Sequence, residues 1–245
     1  MAEAFQEAQR QYRSPLAAAE KRLLVWIAGR LPKGVTSDQL TGLGFASMMG
    51  GGACFALSGM FIGALWGVVA SLALNWFGDS LDGTLARVRG QQRPRFGFYV
   101  DHMLDSFGAL FLLGGLALSG RMTPLVAAAV AIAYFLLSIE IFLATYCVGR
   151  FQMSFWGAGP TELRILLAIG TLTLFVKPVV TIAGENYALF DVGGAVAAVI
   201  LTITAVVATV RNTRGLYRAE PLNRSMPRAG KALHHFPDDV LRIAE

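Results

Sequence analysis

Residues 79–105 read DSLDGTLARVRGQQRPRFGFYVDHMLD and place four carboxylates at the ends of two apolar runs joined by a basic connection. Asp79 and Asp82 stand i, i+3 at the end of the first run. Gly97, Asp101 and Asp105 stand i, i+4, i+8 at the start of the second. At helical spacing each set shares one face, and a short connection makes the two helices antiparallel neighbours. The four aspartates are therefore expected to converge at one depth. Mutually repelling carboxylates beside an apolar phase need a cation, and an all-oxygen set favours Mg²⁺, with Mn²⁺ or Ca²⁺ as alternatives. His102 falls on the other side of its helix. Ordinary ion pairs with Arg87, Arg89, Arg93 and Arg95 are the competing explanation. They account for the charge, but not for the spacing or for the small residues Gly83, Ala86 and Gly97 beside the acids.

The rest of the chain supplies the setting. Its 245 residues are 55% hydrophobic and 15% charged, with a mean hydropathy of +0.54, whereas a soluble domain carries about 25% charged residues. This composition is that of an integral membrane protein and excludes disorder, a collagenous fibre and a disulfide scaffold; Cys54 and Cys147 lie in apolar runs as small hydrophobes. The net charge of +5 suits basic membrane loops, and no nucleic-acid partner is expected. Six apolar stretches approach the roughly 20 residues of a spanning helix: 40–57, 61–86, 96–118, 124–148, 162–180 and 191–210. Before them, LAAAEKRLLVWIAGRLP places Leu16, Leu23, Leu24, Ile27 and Leu31 on one stripe, the pattern of an interfacial amphipathic helix. Thr36, Ser37 and Asp38 then offer caps for the first span. The expected fold is all-α, with six transmembrane helices after that interfacial helix. Residues 1–36 form the N-terminal segment, 37–212 the transmembrane catalytic domain and 213–245 a basic tail. The N-terminal residues lack the apolar h-region of a secretory signal. With both termini on one side, every Lys and Arg except Arg121 and Lys177 falls on that side, which the positive-inside rule makes cytoplasmic. The aspartates lie there too.

The pattern Asp79-x2-Asp82-Gly83-x2-Ala86-Arg87-x9-Gly97-x3-Asp101-x3-Asp105 resembles the signature of the CDP-alcohol phosphatidyltransferases, membrane enzymes that join a CDP-activated group to an alcohol and release CMP. All eight fixed positions match; the stretch before Gly97 is nine residues where eight is commoner. Ser37-Asp38-Gln39-Leu40-Thr41 is similar to the family's Pro-Asn-x-x-Thr opening of the first helix, with only Thr41 carried over, as a nucleotide contact. The resemblance implies that Asp79, Asp82 and Asp101 hold two Mg²⁺ or Mn²⁺ ions. Asp105 would complete that site and act as general base on the acceptor hydroxyl. Gly83 and Ala86 would let cytidine lie against the helix, Gly97 would clear space, and Arg87 would neutralise the diphosphate. The implied reaction is phosphatidyl transfer from CDP-diacylglycerol to a polar alcohol, in phospholipid biosynthesis at a bacterial inner membrane. A CDP-linked headgroup with a diacylglycerol acceptor is one alternative within the enzymes, and a Mg²⁺-dependent membrane prenyltransferase, whose aspartate motifs lack the Gly-x2-Ala-Arg extension and which expects more spans, is another. A divalent-cation transporter is the alternative outside them, disfavoured because the acids cluster at one face.

Other residues carry two readings each. Glu140, an acid within the fourth span, belongs either to the site or to a hydrogen-bonded structural contact. In FWGAGPTELR, Pro160, Thr161 and Glu162 read as a helix start. Alternatively Glu162, with Arg164 and Arg150, lies at the level of the aspartates and selects the acceptor. Gly50, Gly51 and Gly52 point to close helix packing, in an expected homodimer, rather than to ligand binding. The basic tail suits anionic lipid.

Overall fold

A computed structural model of the chain describes residues 9–11, 17–152 and 159–220, with the backbone alone at 9–11, 17, 150 and 152. Leu16 and the basic residues from Arg224 onward lie outside the described residues, as does the side chain of Arg150. In chain order the elements are β1 (Gln9–Gln11), α1 (Ala17–Ala28), α2 (Ser37–Ser58), α3 (Ala64–Val88), α4 (Pro94–Leu118) and α5 (Pro124–Val148). Then follow β2 (Arg150–Gln152), α6 (Pro160–Thr173), β3 (Val179–Ile182), β4 (Glu185–Ala188) and α7 (Leu189–Ala219). Among the described residues four helices, α2, α4, α5 and α7, are long and apolar enough to cross a membrane.

Local chemistry sets most of these boundaries. Thr36 caps α2, accepting from the Gln39 amide at 3.2 Å while the Gln39 side chain accepts from the Thr36 amide at 3.0 Å; this is a capping box. Pro94, Pro124 and Pro160 open α4, α5 and α6 where a missing N–H costs nothing. The expected fifth span is shorter than its apolar run. Helix α6 stops at Thr173, and the residues to Val180 and beyond turn into an antiparallel hairpin, Val179 opposite Ala188 and Ile182 opposite Glu185. Val179, Val180, Thr181 and Ile182 are β-branched, Pro178 cannot continue a helix, and Ala183 and Gly184 adopt φ of 53° and 89°. Positive φ at both turn residues matches the twist of a two-residue hairpin. At the other end, α7 continues past residue 212 to Ala219.

Helix α2 packs against both α3 and α4, α6 lies on α3, and α5 pairs with α7. The glycine run of α2 is consumed inside the chain. A Cβ on Gly52 would overlap the Phe111 carbonyl of α4, one on Gly115 would overlap the Gly52 carbonyl, and one on Gly51 would press Leu112 at 3.2 Å. Backbones in such contact need glycine, so this run does not require a second copy of the chain. A core of Phe55, Leu65, Val68, Leu112, Leu116 and Phe190 fills the space between these helices.

The apolar stripe expected on α1 is divided. Leu24 and Ala28 are buried in a cluster with Leu40, Leu81 and Leu85, and Ile27 and Leu31 pack against it, while Leu23, Val25 and Trp26 are exposed. The stripe faces α3 because Leu81 and Leu85 present a complementary apolar surface there. Arg30 stacks on Trp26 at 3.9 Å. Glu140 takes its structural reading: its Oε1 accepts from Asn212 Nδ2 at 2.6 Å, joining α5 to α7. Glu140→Ala strands that amide and is expected to cost about 1–3 kcal/mol. Glu140→Gln keeps the acceptor, so thermal unfolding in detergent should separate the two; equal losses would argue against the pair.

Candidate active site

Helices α3 and α4 do not pack along each other as their short connection led one to expect; α2 packs against both, and only their acidic ends converge, beside the start of α2. Thr41, Gly44, Phe45, Asn75, Asp79, Asp82, Asp101, Leu104 and Asp105 line one pocket. One carboxylate oxygen from each of Asp79, Asp101 and Asp105 lies within 4.8 Å of the other two. Ligand atoms around one octahedral Mg²⁺, at about 2.0–2.1 Å from it, are about 3–4 Å apart. Small side-chain rotations would let the three share an ion, and three hard oxygen donors suit Mg²⁺ or Mn²⁺. The residues fit a divalent cation.

Asp82, expected among the metal ligands, lines the same pocket and also bonds within the protein. Its Oδ2 accepts from the Thr41 hydroxyl at 2.6 Å, its Oδ1 accepts from the Gly83 amide, and its backbone carbonyl accepts from Ser37 Oγ at 2.9 Å. It is the most buried of the four, with 9% of its surface exposed. Thr41 thus reaches the site from α2 through this carboxylate.

Arg164 enters the cluster from α6. Its guanidinium pairs with Asp79 and donates through Nε to Asn75 Oδ1 at 2.7 Å. Asn75 in turn donates to the Gly44 carbonyl at 3.0 Å, so α2, α3 and α6 meet one turn before Asp79. The connecting arginines behave otherwise: Arg89 donates to the carbonyls of Leu31, Val35 and Pro32, and Arg93 pairs with Asp38. Arg89 fastens the α1–α2 connection to the end of α3, and Arg93 fastens the first turn of α2 to the α3–α4 loop. Arg87 is exposed and donates to Thr84 Oγ1 at 3.1 Å.

Gly83 and Gly97 are not required by packing. Only Arg87 Nη1, at 3.7 Å, approaches a Cβ built on Gly83, and nothing lies within 4 Å of one on Gly97. Bare backbone without a packing reason, next to the acids, is a surface that a flat group can approach. His102 donates from Nδ1 to the Phe98 carbonyl at 2.6 Å and packs against Phe98, Phe142 and Phe151. Glu162 accepts from the Gly159 amide at 2.9 Å, as its helix-start reading requires. Asn75 escaped the sequence reading, although a lone amide in an apolar run one turn before an acid was the available signal.

The sequence model of the CDP-alcohol phosphatidyltransferase family matches residues 36–211. Among solved structures, the chain is similar to the phosphatidylinositol phosphate synthase of Mycobacterium tuberculosis with CDP-DAG bound, at 19% identity and a TM-score of 0.55, covering 87% of this chain and 100% of that one. At that identity the likeness is one of fold. No curated protein matches the sequence.

Proposed function

The chain belongs to the CDP-alcohol phosphatidyltransferase family and is an enzyme, and from that premise we propose that it moves a phosphatidyl group from CDP-diacylglycerol to a polar alcohol with release of CMP. The observation that carries this reading is the convergence of Asp79, Asp101 and Asp105 beside bare backbone at Gly83. The choice of donor is supported by the similar fold having been solved with CDP-DAG.

Two Mg²⁺ or Mn²⁺ ions held by Asp79, Asp82, Asp101 and Asp105 would supply charge neutralisation at the donor diphosphate. Gly83 and Ala86 take the cytidine, Thr41 holds Asp82 toward it, and Arg87 adds positive charge at the diphosphate. Gly97 leaves room at the start of α4. Asp105 accepts the proton of the alcohol as its oxygen attacks the lipid-bearing phosphorus. The bridging P–O bond breaks, and the electron pair departs with CMP. A cluster of acids at one end of the helices, together with the distribution of Lys and Arg, supports six spans α2–α7 with α1 at the interface. Both termini and the site then face the cytoplasm of a bacterial inner membrane. Helix α6, at 14 residues, is about 21 Å long and reaches across only with the segment leading to the β3–β4 hairpin.

The test is to incubate the purified chain with CDP-diacylglycerol, Mg²⁺ and a panel of alcohols, following CMP and the lipid products by mass spectrometry. A new phospholipid with stoichiometric CMP is expected; CMP release with no alcohol-dependent lipid would reject the transferase reading. Acceptor choice is assigned to Arg164, with Glu162 of the same helix and Arg150 of the α5–α6 connection. For a phosphorylated alcohol, Arg164→Ala is expected to raise the acceptor KM about tenfold or more, the scale of a lost charged hydrogen bond. The KM for CDP-diacylglycerol should change far less. Equal changes in both constants would remove Arg164 from the acceptor subsite.

A further inference from the structure

Glu20 sits on the first helix, outside the residues matched by the family, yet one of its oxygens joins two of the helices that build the site. Its Oε1 accepts from Trp76 Nε1 of α3 at 2.7 Å and from Thr161 Oγ1 of α6 at 2.7 Å. Trp76 lies three residues before Asp79, and Thr161 three residues before Arg164. The carboxylate therefore spans the two helices one turn away from the Arg164–Asp79 ion pair, and the Arg164–Asn75 bond lies beside that pair. On α1, Glu20 shares a face with Leu24 and Ala28, i, i+4, i+8, and those two are buried against Leu81 and Leu85 of α3. The apolar contact fixes where α1 lies, so the position of Glu20 is set before it meets its donors.

We propose that Glu20 is a positioning residue that sets α6 against α3 and so holds Arg164 on Asp79. The proposal rests on the reading of Asp79 as a metal ligand. Arg164 is a cation on a carboxylate that would bind another cation, so it opposes metal binding while fixing where the ligand stands. Loosening the tether should therefore move two quantities in opposite directions. Metal affinity should rise because the competing guanidinium is freer to leave, and turnover should fall because Asp79 is no longer held in place. A general folding defect would lower both.

The experiment uses the full chain in detergent, with Mn²⁺ binding followed by electron paramagnetic resonance without any CDP-linked substrate, and turnover followed by CMP release. Glu20→Ala is expected to tighten Mn²⁺ binding about threefold and lower kcat about fivefold, the scale of one lost hydrogen bond. Glu20→Gln keeps the oxygen and removes the charge, so it should restore both values and control for the change in field. Arg164→Ala should tighten Mn²⁺ binding as well, and adding Glu20→Ala to it should produce little further change. Mn²⁺ binding that weakens in Glu20→Ala, that Glu20→Gln does not restore, or that shifts by the same factor with and without Arg164 overturns the proposal. A parent chain that binds Mn²⁺ with this dependence on Glu20 but releases no CMP sinks the transferase reading and supports the positioning. A parent chain that binds no Mn²⁺ overturns the positioning together with the metal site.

Discussion

Asp105→Asn is expected to lower turnover about 10²–10⁴-fold at saturating Mg²⁺, the usual cost of losing a general base. The amide keeps the size of the side chain and one acceptor oxygen, but cannot take the proton of the attacking hydroxyl. Asp105 is one of three carboxylates whose oxygens gather within 4.8 Å, so some loss of metal affinity is expected too. Measuring at saturating metal separates the two effects: a defect confined to metal binding recovers there, whereas a missing base does not. Asp82→Asn should weaken binding of both metal and donor, because Asp82 Oδ2 anchors Thr41 across the start of α2. Chelation by EDTA should stop the parent enzyme, with Mg²⁺ or Mn²⁺ restoring it. Near-parental turnover of Asp105→Asn would assign the base elsewhere.

Two glycine substitutions are expected to fail for opposite reasons. In Gly115→Ala the new methyl would land on the Gly52 carbonyl, and neither atom belongs to a flexible side chain that can move aside. Helices α2 and α4 would have to separate, costing more than about 3 kcal/mol, and the variant should not be recovered as a monodisperse protein. In Gly83→Ala the nearest atom is Arg87 Nη1 at 3.7 Å, and alanine is the better helix former by about 1 kcal/mol. That variant should therefore melt at or above the parent temperature while losing donor binding, because the methyl occupies the surface assigned to cytidine. Thermal unfolding and CDP-diacylglycerol binding, measured side by side, check both. A stable Gly115→Ala protein would contradict the packing, and unchanged donor binding in Gly83→Ala would contradict the cytidine placement.

The acidic hairpin was legible in sequence because both its parts are local. Spacings of three and four along a helix put Asp79 with Asp82 and Asp101 with Asp105, and a short connection keeps the two acidic ends close, although α2 rather than α4 packs along α3. The starts of α2, α5 and α6 were legible for the same reason, since Thr36, Pro124 and Pro160 act on residues within one turn, while α4 begins at Pro94, two residues before its apolar run. The end of α6 was hidden by hydropathy, which scores Val179, Val180 and Ile182 as apolar whether they are helical or extended. Their β-branching and the Ala183–Gly184 turn were the available signs.

Local sequence thus determined the aspartate cluster, the family signature and the apolar helices, because a periodic pattern needs no partner to be read. Tertiary structure alone decided what each polar group meets. Gly51 and Gly52 pack against α4, Glu140 meets Asn212, Asp82 is taken by Thr41, and Arg164 reaches Asp79 across 85 residues. Such pairings depend on how helices far apart in the chain rotate about their axes and how closely they approach. Those quantities follow from the fit of apolar surfaces such as Leu24 and Ala28 against Leu81 and Leu85, and spacing along one helix does not encode them.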